Sequence, residues 1–167
     1  MTQIQWAVTL WQPWAQLVFA DPAKDVENRT WPFWSTITLP VRVWIHAGQQ
    51  WDAEGWHRAM GMAGRALPGY SSDRYPAGAL IGSVELTGFH HAHDCEHFVG
   101  DHVTALCSRW AEYGAWHWTL ADPLLLEEPI PARGHQGLWT LTEGIARQVE
   151  RQIPVRHPSL FEEASDA

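Results

Sequence analysis

The stretch Lys24-Asp25-Val26-Glu27-Asn28-Arg29-Thr30-Trp31 sets charged groups and an indole side by side between two apolar segments. No other part of the chain narrows so much what the fold must provide. If the run after Lys24 is extended, the two-residue side-chain period sends Glu27, Arg29 and Trp31 to one face and Val26, Asn28 and Thr30 to the other. Lys24 then sits on the turn leading in. An ammonium, a carboxylate, a guanidinium and an indole on one wall can hydrogen-bond the edge of a flat polar ligand and stack on its face. The alternative is a surface ion pair on an edge strand, which contributes only about 0 to 1 kcal/mol.

The residues upstream weigh toward the first reading. Thr9-Leu10-Trp11-Gln12 reads as a short strand, and Pro13 opens a helix at a position where its missing N–H costs nothing. That helix is expected to stop near Asp21-Pro22, because a proline restricts the residue before it. The order Leu10-Trp11-Gln12-Pro13-Trp14, a short apolar helix, and then Lys24-x-x-Glu27-x-Arg29 resembles an ASCH domain, a relative of the PUA barrels that bind RNA. The family pattern Gly-x-Lys-x-x-Glu-x-Arg has glycine where this chain has Pro22, a departure in the turn and not in the charged triad. The resemblance continues in Ile45-His46-Ala47-Gly48, in Gly82-Ser83-Val84-Glu85-Leu86, in Trp116-His117-Trp118 with Leu120-Ala121-Asp122-Pro123, and in Gln136-Gly137-Leu138-Trp139. It spans roughly residues 6–142. It implies an α+β fold: a PUA-like, mostly antiparallel β-barrel with a short N-terminal helix and two or three further flanking helices. Residues 1–153 are expected to form a single domain, followed by a loosely held tail over 154–167.

Composition bounds what such a domain can hold. Twelve tryptophans in 167 residues exceed what size predicts, and each indole carries a large apolar area with one N–H donor, so most belong to a core and the rest to a groove. A formal charge of −8 with eleven Lys and Arg argues against a protein that grips long nucleic acid by its phosphates. A nucleoside, a nucleotide or a single flipped base suits that charge better, although Arg29, Arg42, Arg133, Arg147, Arg151 and Arg156 could still cluster into a local patch. Two cysteines, no basic-led apolar leader and no long apolar run point to a reduced, cytoplasmic protein without a membrane segment. A monomer or weak dimer is expected.

Further along, residues 36–46 alternate as a strand, with Val41, Val43 and Ile45 opposite Arg42, Trp44 and His46. His46 lies near the ligand cleft in the family resemblance, while a lone histidine at a strand end also serves as a structural hydrogen-bond donor. Residues 52–67 read as a helix with Asp52 as N-cap and Trp56, Ala59, Met60, Ala63 and Leu67 on one apolar face. A loop follows over 68–73, and strand character resumes over 79–87. Glu85 interrupts that strand, and a carboxylate buried there needs a partner. Lys24 or Arg29 are the natural ones, unless Glu85 faces water.

The run His90-His91-Ala92-His93-Asp94-Cys95-Glu96-His97, with His102 and Cys107 beyond it, contains enough ligands for zinc. Its spacing matches neither Cys-x-x-Cys pairs nor a His-Glu-x-x-His helix, and histidine-rich tracts also occur as exposed loops. The region is therefore read as a variable connection, with no metal and no cofactor expected. Residues 115–126 form another strand, ended by Asp122-Pro123. Pro129, Pro131 and Gly134 make an irregular arm, and Gln136-Gly137 precedes a last strand over 138–141. Gln136 could read a base edge or be a turn residue. Residues 142–153 read as a helix capped by Thr142, with Ile145, Val149 and Ile153 apolar at helical spacing.

Three functions fit this pattern. The first is a binding module whose cleft takes a nucleobase or modified nucleotide of RNA or single-stranded DNA, with Trp11, Trp14 and Trp31 stacking and Gln12, Lys24, Glu27, Arg29, His46 and Gln136 bonding. The second is a hydrolase using Lys24, Glu27 and Glu85, since the resemblance extends to small amidohydrolases that deacylate acetylated cytidine and to proteins assigned ribonuclease activity. In that amidohydrolase group a threonine nucleophile stands three residues after the lysine, where this chain has Glu27. The third is a transcription-associated interaction module, which an apolar exposed patch with no cleft near Lys24 would favour.

Overall fold

The computed structural model describes residues 4–20, 23–32, 37–63, 75–152 and 155–156. Strand β1 (Trp6–Gln12) leads into a one-turn helix α1 (Trp14–Leu17), then β2 (Val26–Arg29), the long β3 (Val41–Trp51) and helix α2 (Ala53–Ala63). Strand β4 (Ala79–His91), the small hairpin β5 (His97–Val99) and β6 (His102–Ala105), β7 (Trp116–Pro131), β8 (Leu138–Thr140), α3 (Glu143–Arg151) and β9 (Val155–Arg156) complete the order. The seven-stranded sheet runs β2-β7-β4-β3-β1-β8, with β9 on β7 off that path. Its ladders are antiparallel except for β1 on β3. Strands with three flanking helices make this an α+β fold, as the sequence implies. Among the described residues the path ends at β2 and β8, yet the sheet curls so far that the Arg29 guanidinium on β2 donates to the Thr9 carbonyl on β1 at 3.3 Å.

That curl encloses the main core. Val8, Leu10, Ala15, Val18, Phe19, Val43, Ile45, Val84, Leu86 and Trp118 are buried together, with Trp31 packed against them. A second cluster, Ala7, Leu80, Leu126, Ile130 and Val149, lies on the other side of the sheet under α3. The sequence pattern accounts for α3 closely: the Thr142 hydroxyl accepts from the Ile145 N–H, and Ile145 and Val149 face this cluster. Ile153 lies outside the described residues. Asp52 likewise caps α2 by accepting from the Gly55 N–H at 2.8 Å, and Trp56 and Ala59 are buried as the helical spacing requires. The predicted end of that helix, the 68–73 loop and Asp21-Pro22 lie outside the described residues.

Three strands outrun their predicted ends. Strand β3 continues past His46 to Trp51, and β4 continues past Thr87 to His91. Strand β7 does not stop at Asp122-Pro123 but runs on to Pro131. The reason is a bulge: Ser83 pairs with Leu124 and Glu85 with Ala121, so Asp122 and Pro123 together oppose Val84. A proline that cannot donate to the ladder is tolerated there. Asp122 takes φ 44, and Arg42 holds it through the Asp122 carbonyl at 2.8 Å and carboxylate at 2.6 Å.

Candidate functional site

The charged run folds as its alternation requires. Val26 packs with Leu17, Ala59 and Trp110 on one side of β2, while Asn28 on the same side donates to the Trp110 carbonyl and accepts from the Glu112 N–H. On the opposite side Glu27 joins two cations. Its Oε2 lies 2.6 Å from Lys24 Nζ and its Oε1 3.3 Å from Arg29 Nη2. Lys24 is only 3% exposed and also donates to the Val26 carbonyl. Burial pushes the Glu27 carboxyl up, but Lys24 and Arg29 outweigh it and hold its pKa below the usual carboxylate range. The anion is therefore locked between its partners, and the triad fixes Arg29 in place.

Arg29 is the member that reaches a cavity. Its guanidinium carbon lies 5.9 Å from the Trp31 ring and 5.5 Å from the Trp118 ring, and its buried Nε has no hydrogen-bond partner among the described residues. Trp31 is fixed edge-on against Trp118, centroids 5.0 Å apart. Arg29 and Trp31 form one wall of a cleft of about 1130 Å³. Trp11, 53% exposed, lines it as well. Thr9, Gly48, Gln49 and Gln50 come from β1 and β3, and the arm from Ala132 to Gly137 lies across it.

His46 sets that arm. Buried under it, His46 has Nε2 2.9 Å from the Ala132 carbonyl. Burial, with His135 nearby, lowers its pKa below 6.5 against the opposing effect of the Ala132 bond, so the ring is neutral and Nε2–H donates. Gly134 crosses so close to the ring that a Cβ there would stand 2.5 Å from His46 Cε1. The arm is held further by the Ala132 N–H on the Gly78 carbonyl and the Gly78 N–H on the Ala47 carbonyl.

Of the residues singled out from sequence, Trp11, Arg29, Trp31, His46 and Gln136 come together around this cleft, and the others do not line it. Lys24 and Glu27 stand behind Arg29. Gln12 is buried, donating to the Pro76 carbonyl and accepting from the Gln16 N–H, which fastens α1. Trp14 donates to Asp52 at 2.9 Å and packs between Lys24 and Arg58. Glu85 pairs with Arg42 at 3.9 Å, not with Lys24 or Arg29, and is over a third exposed. It shares Arg42 with Asp122, so the grouping of Lys24, Glu27 and Glu85 that a hydrolase would use does not form. Sequence reasoning missed Thr9, Gln49, Gln50 and His135, and it gave Arg133 only as part of a possible patch. Their one signal was position, just past His46-Ala47-Gly48 or within the proline-and-glycine arm.

The lining has one further property. Among the described residues it contains Arg29, Arg133, His46 and His135 and no carboxylate, although the chain carries nineteen Asp and Glu.

No protein-family model and no curated protein matches the sequence. Solved structures do. An ASCH protein from Zymomonas mobilis superposes with a TM-score of 0.52 at 16% identity, over 90% of this chain and 97% of that one. The fold is ASCH-like. A single-residue variant of the same Zymomonas mobilis protein gives 0.50 at 16% identity, covering 89% of this chain and 99% of its own. The α+β content fits the ASCH/PUA-like fold that the motif order implies. None of the helices among the described residues is long and apolar enough to cross a membrane.

Proposed function

We propose that this ASCH-like protein binds a single nucleotide, free or within a short single strand of RNA or DNA, in the cleft between Arg29, Trp31, Trp11 and the 132–137 arm. The observation that carries this is the lining itself: among the described residues, two guanidiniums, two imidazoles, three glutamines and two indoles, with no carboxylate, in an otherwise acidic chain. Arg29 and Arg133 suit a phosphate. Gln49, Gln50 and Gln136 can each donate and accept at a base edge, and Trp11 or Trp31 offers a stacking face. Base stacking on an aromatic contributes about 1 to 3 kcal/mol, enough to hold a ligand without a basic surface. Lys24 and Glu27 act here as the frame that aims Arg29.

Geometry favours binding over turnover. Lys24 and Glu27 are bonded to each other outside the lining, and a carboxylate held between two cations is a poor general base. Titration of tryptophan fluorescence with nucleosides, 5′-mononucleotides and short single strands tests the proposal. Mononucleotides should bind more tightly than nucleosides, and Arg133→Ala should remove that difference. Equal binding of both, or none at all, rejects it. Mass spectrometry of acetylated cytidine incubated with the protein should show unchanged substrate.

A further inference from the structure

The β5–β6 hairpin lies within a 92–115 insertion between two neighbouring strands of the large sheet. It has little apolar support of its own: Phe98 and Val99 are 58% and 69% exposed. The insertion is tied to the body at its base, where the Ala92 N–H bonds the Ala115 carbonyl, and through buried Trp110. Small units of this kind need a staple.

At that base four soft ligands converge from separate segments: His90 at the end of β4, Cys95 at the end of a 3-10 turn, Cys107 after β6, and His117 at the start of β7. Their ligand atoms all lie within 4.8 Å of one another. His90 Nε2 is 3.3 Å from Cys107 Sγ, and His117 Nδ1 is 3.5 Å from both Cys95 Sγ and Cys107 Sγ. A tetrahedral ion bonded to nitrogen at about 2.0–2.1 Å and to sulfur at about 2.3 Å spaces its ligands about 3.3–3.8 Å apart. All three separations fall in that range. Pairwise hydrogen bonding does not explain them, because the one lone pair of His117 Nδ1 faces two sulfurs at once.

His117 is also oriented as a metal ligand is. It is fully buried, and its Nε2 lies 2.9 Å from the Glu112 carbonyl. Donation there fixes the tautomer that turns the Nδ1 lone pair on the thiols. The His90 ring stands perpendicular to it, centroids 5.2 Å apart.

We propose that His90, Cys95, Cys107 and His117 form a closed Cys2His2 site for a structural zinc ion that staples the 92–115 insertion to β4 and β7. Two thiolates balance the charge of the divalent cation, and four protein ligands leave no open position for catalysis. The other histidines of the run, His91, His93 and His97, and His102 beyond it, are not part of this group. The proposal departs from the expectation of no metal from sequence: His90 and Cys95 belong to the conspicuous run, Cys107 and His117 do not, and their spacing follows no familiar zinc pattern.

The test uses the full chain, kept reduced. Elemental analysis of protein purified without chelator should give one zinc per chain. Cobalt(II) added to the metal-free chain should give intense tetrahedral d–d bands and a thiolate-to-cobalt charge-transfer band. Cys107→Ser should weaken the charge-transfer band, and His97→Ala should leave both spectrum and zinc content unchanged. Metal removal should raise amide exchange within 92–115 while the strands of the large sheet stay protected. A reduced wild-type chain that takes up neither zinc nor cobalt overturns the proposal whether or not the variants fold. So does uptake without a charge-transfer band, or a Cys95–Cys107 disulfide in a metal-free chain as isolated.

Discussion

Glu27 is the residue on which the cleft wall turns. Lys24 is almost inaccessible and Glu27 largely buried, so Glu27→Gln leaves a buried ammonium without its counter-charge, and breaking a buried pair from one side costs roughly 3 to 5 kcal/mol. Urea unfolding should register a loss of that order, with Arg29 also released from its aim. The same pair predicts an acid limb. Because the folded pKa of Glu27 is depressed, its contribution is complete above the unfolded value near 4.5 and is lost as pH falls through the lower folded value. Stability of the wild type should therefore fall below that pH more steeply than stability of Glu27→Gln. Trp11 is the opposite case. Half-exposed and on the rim, it can be replaced by alanine with little change in unfolding midpoint, but nucleotide affinity should drop roughly 5- to 150-fold, the equivalent of one stacked base.

Among the elements, the 132–137 arm depends on one close crossing. Gly134→Ala puts a methyl 2.5 Å from a ring that is 2% exposed and cannot retreat, so the arm must lift and the His46–Ala132 bond must break. Nucleotide binding should be lost, at an overpacking cost of about 1 to 3 kcal/mol in stability. The arm should also loosen in acid. His46 is held neutral in the fold, so the unfolded or undocked ring takes up a proton first as pH falls through 6.5. Amide exchange over 132–137 should rise on the acid side of that value, and His46→Gln should remove the dependence.

For the molecule as a whole, net charge limits how nucleic acid can be held. With Arg29 and Arg133 as the fixed cations of the cleft among the described residues, single-strand affinity should fall with a log–log salt slope of about −1.4, roughly sevenfold for a fourfold rise in salt. Lengthening the strand beyond a few nucleotides should add nothing. A steep slope that grows with length would move binding to another surface. What the sequence determined by itself is local: the alternation that pairs Glu27 with Arg29, the Asp52 and Thr142 caps, the burial of Trp56 and Val149, and the motif order that implied the fold. Each rests on a periodicity or a contact a few residues long. Tertiary structure decided the rest. Sequence could not say that Glu85 meets Arg42 across a bulge, that Gln12 is spent fastening α1, or that Arg133 and His135 face Arg29. Nor could it bring Cys107 and His117 to His90 and Cys95. Those meetings depend on how far the sheet curls and where an insertion folds back. Both are set by packing among residues distant in the chain, and no local pattern encodes them.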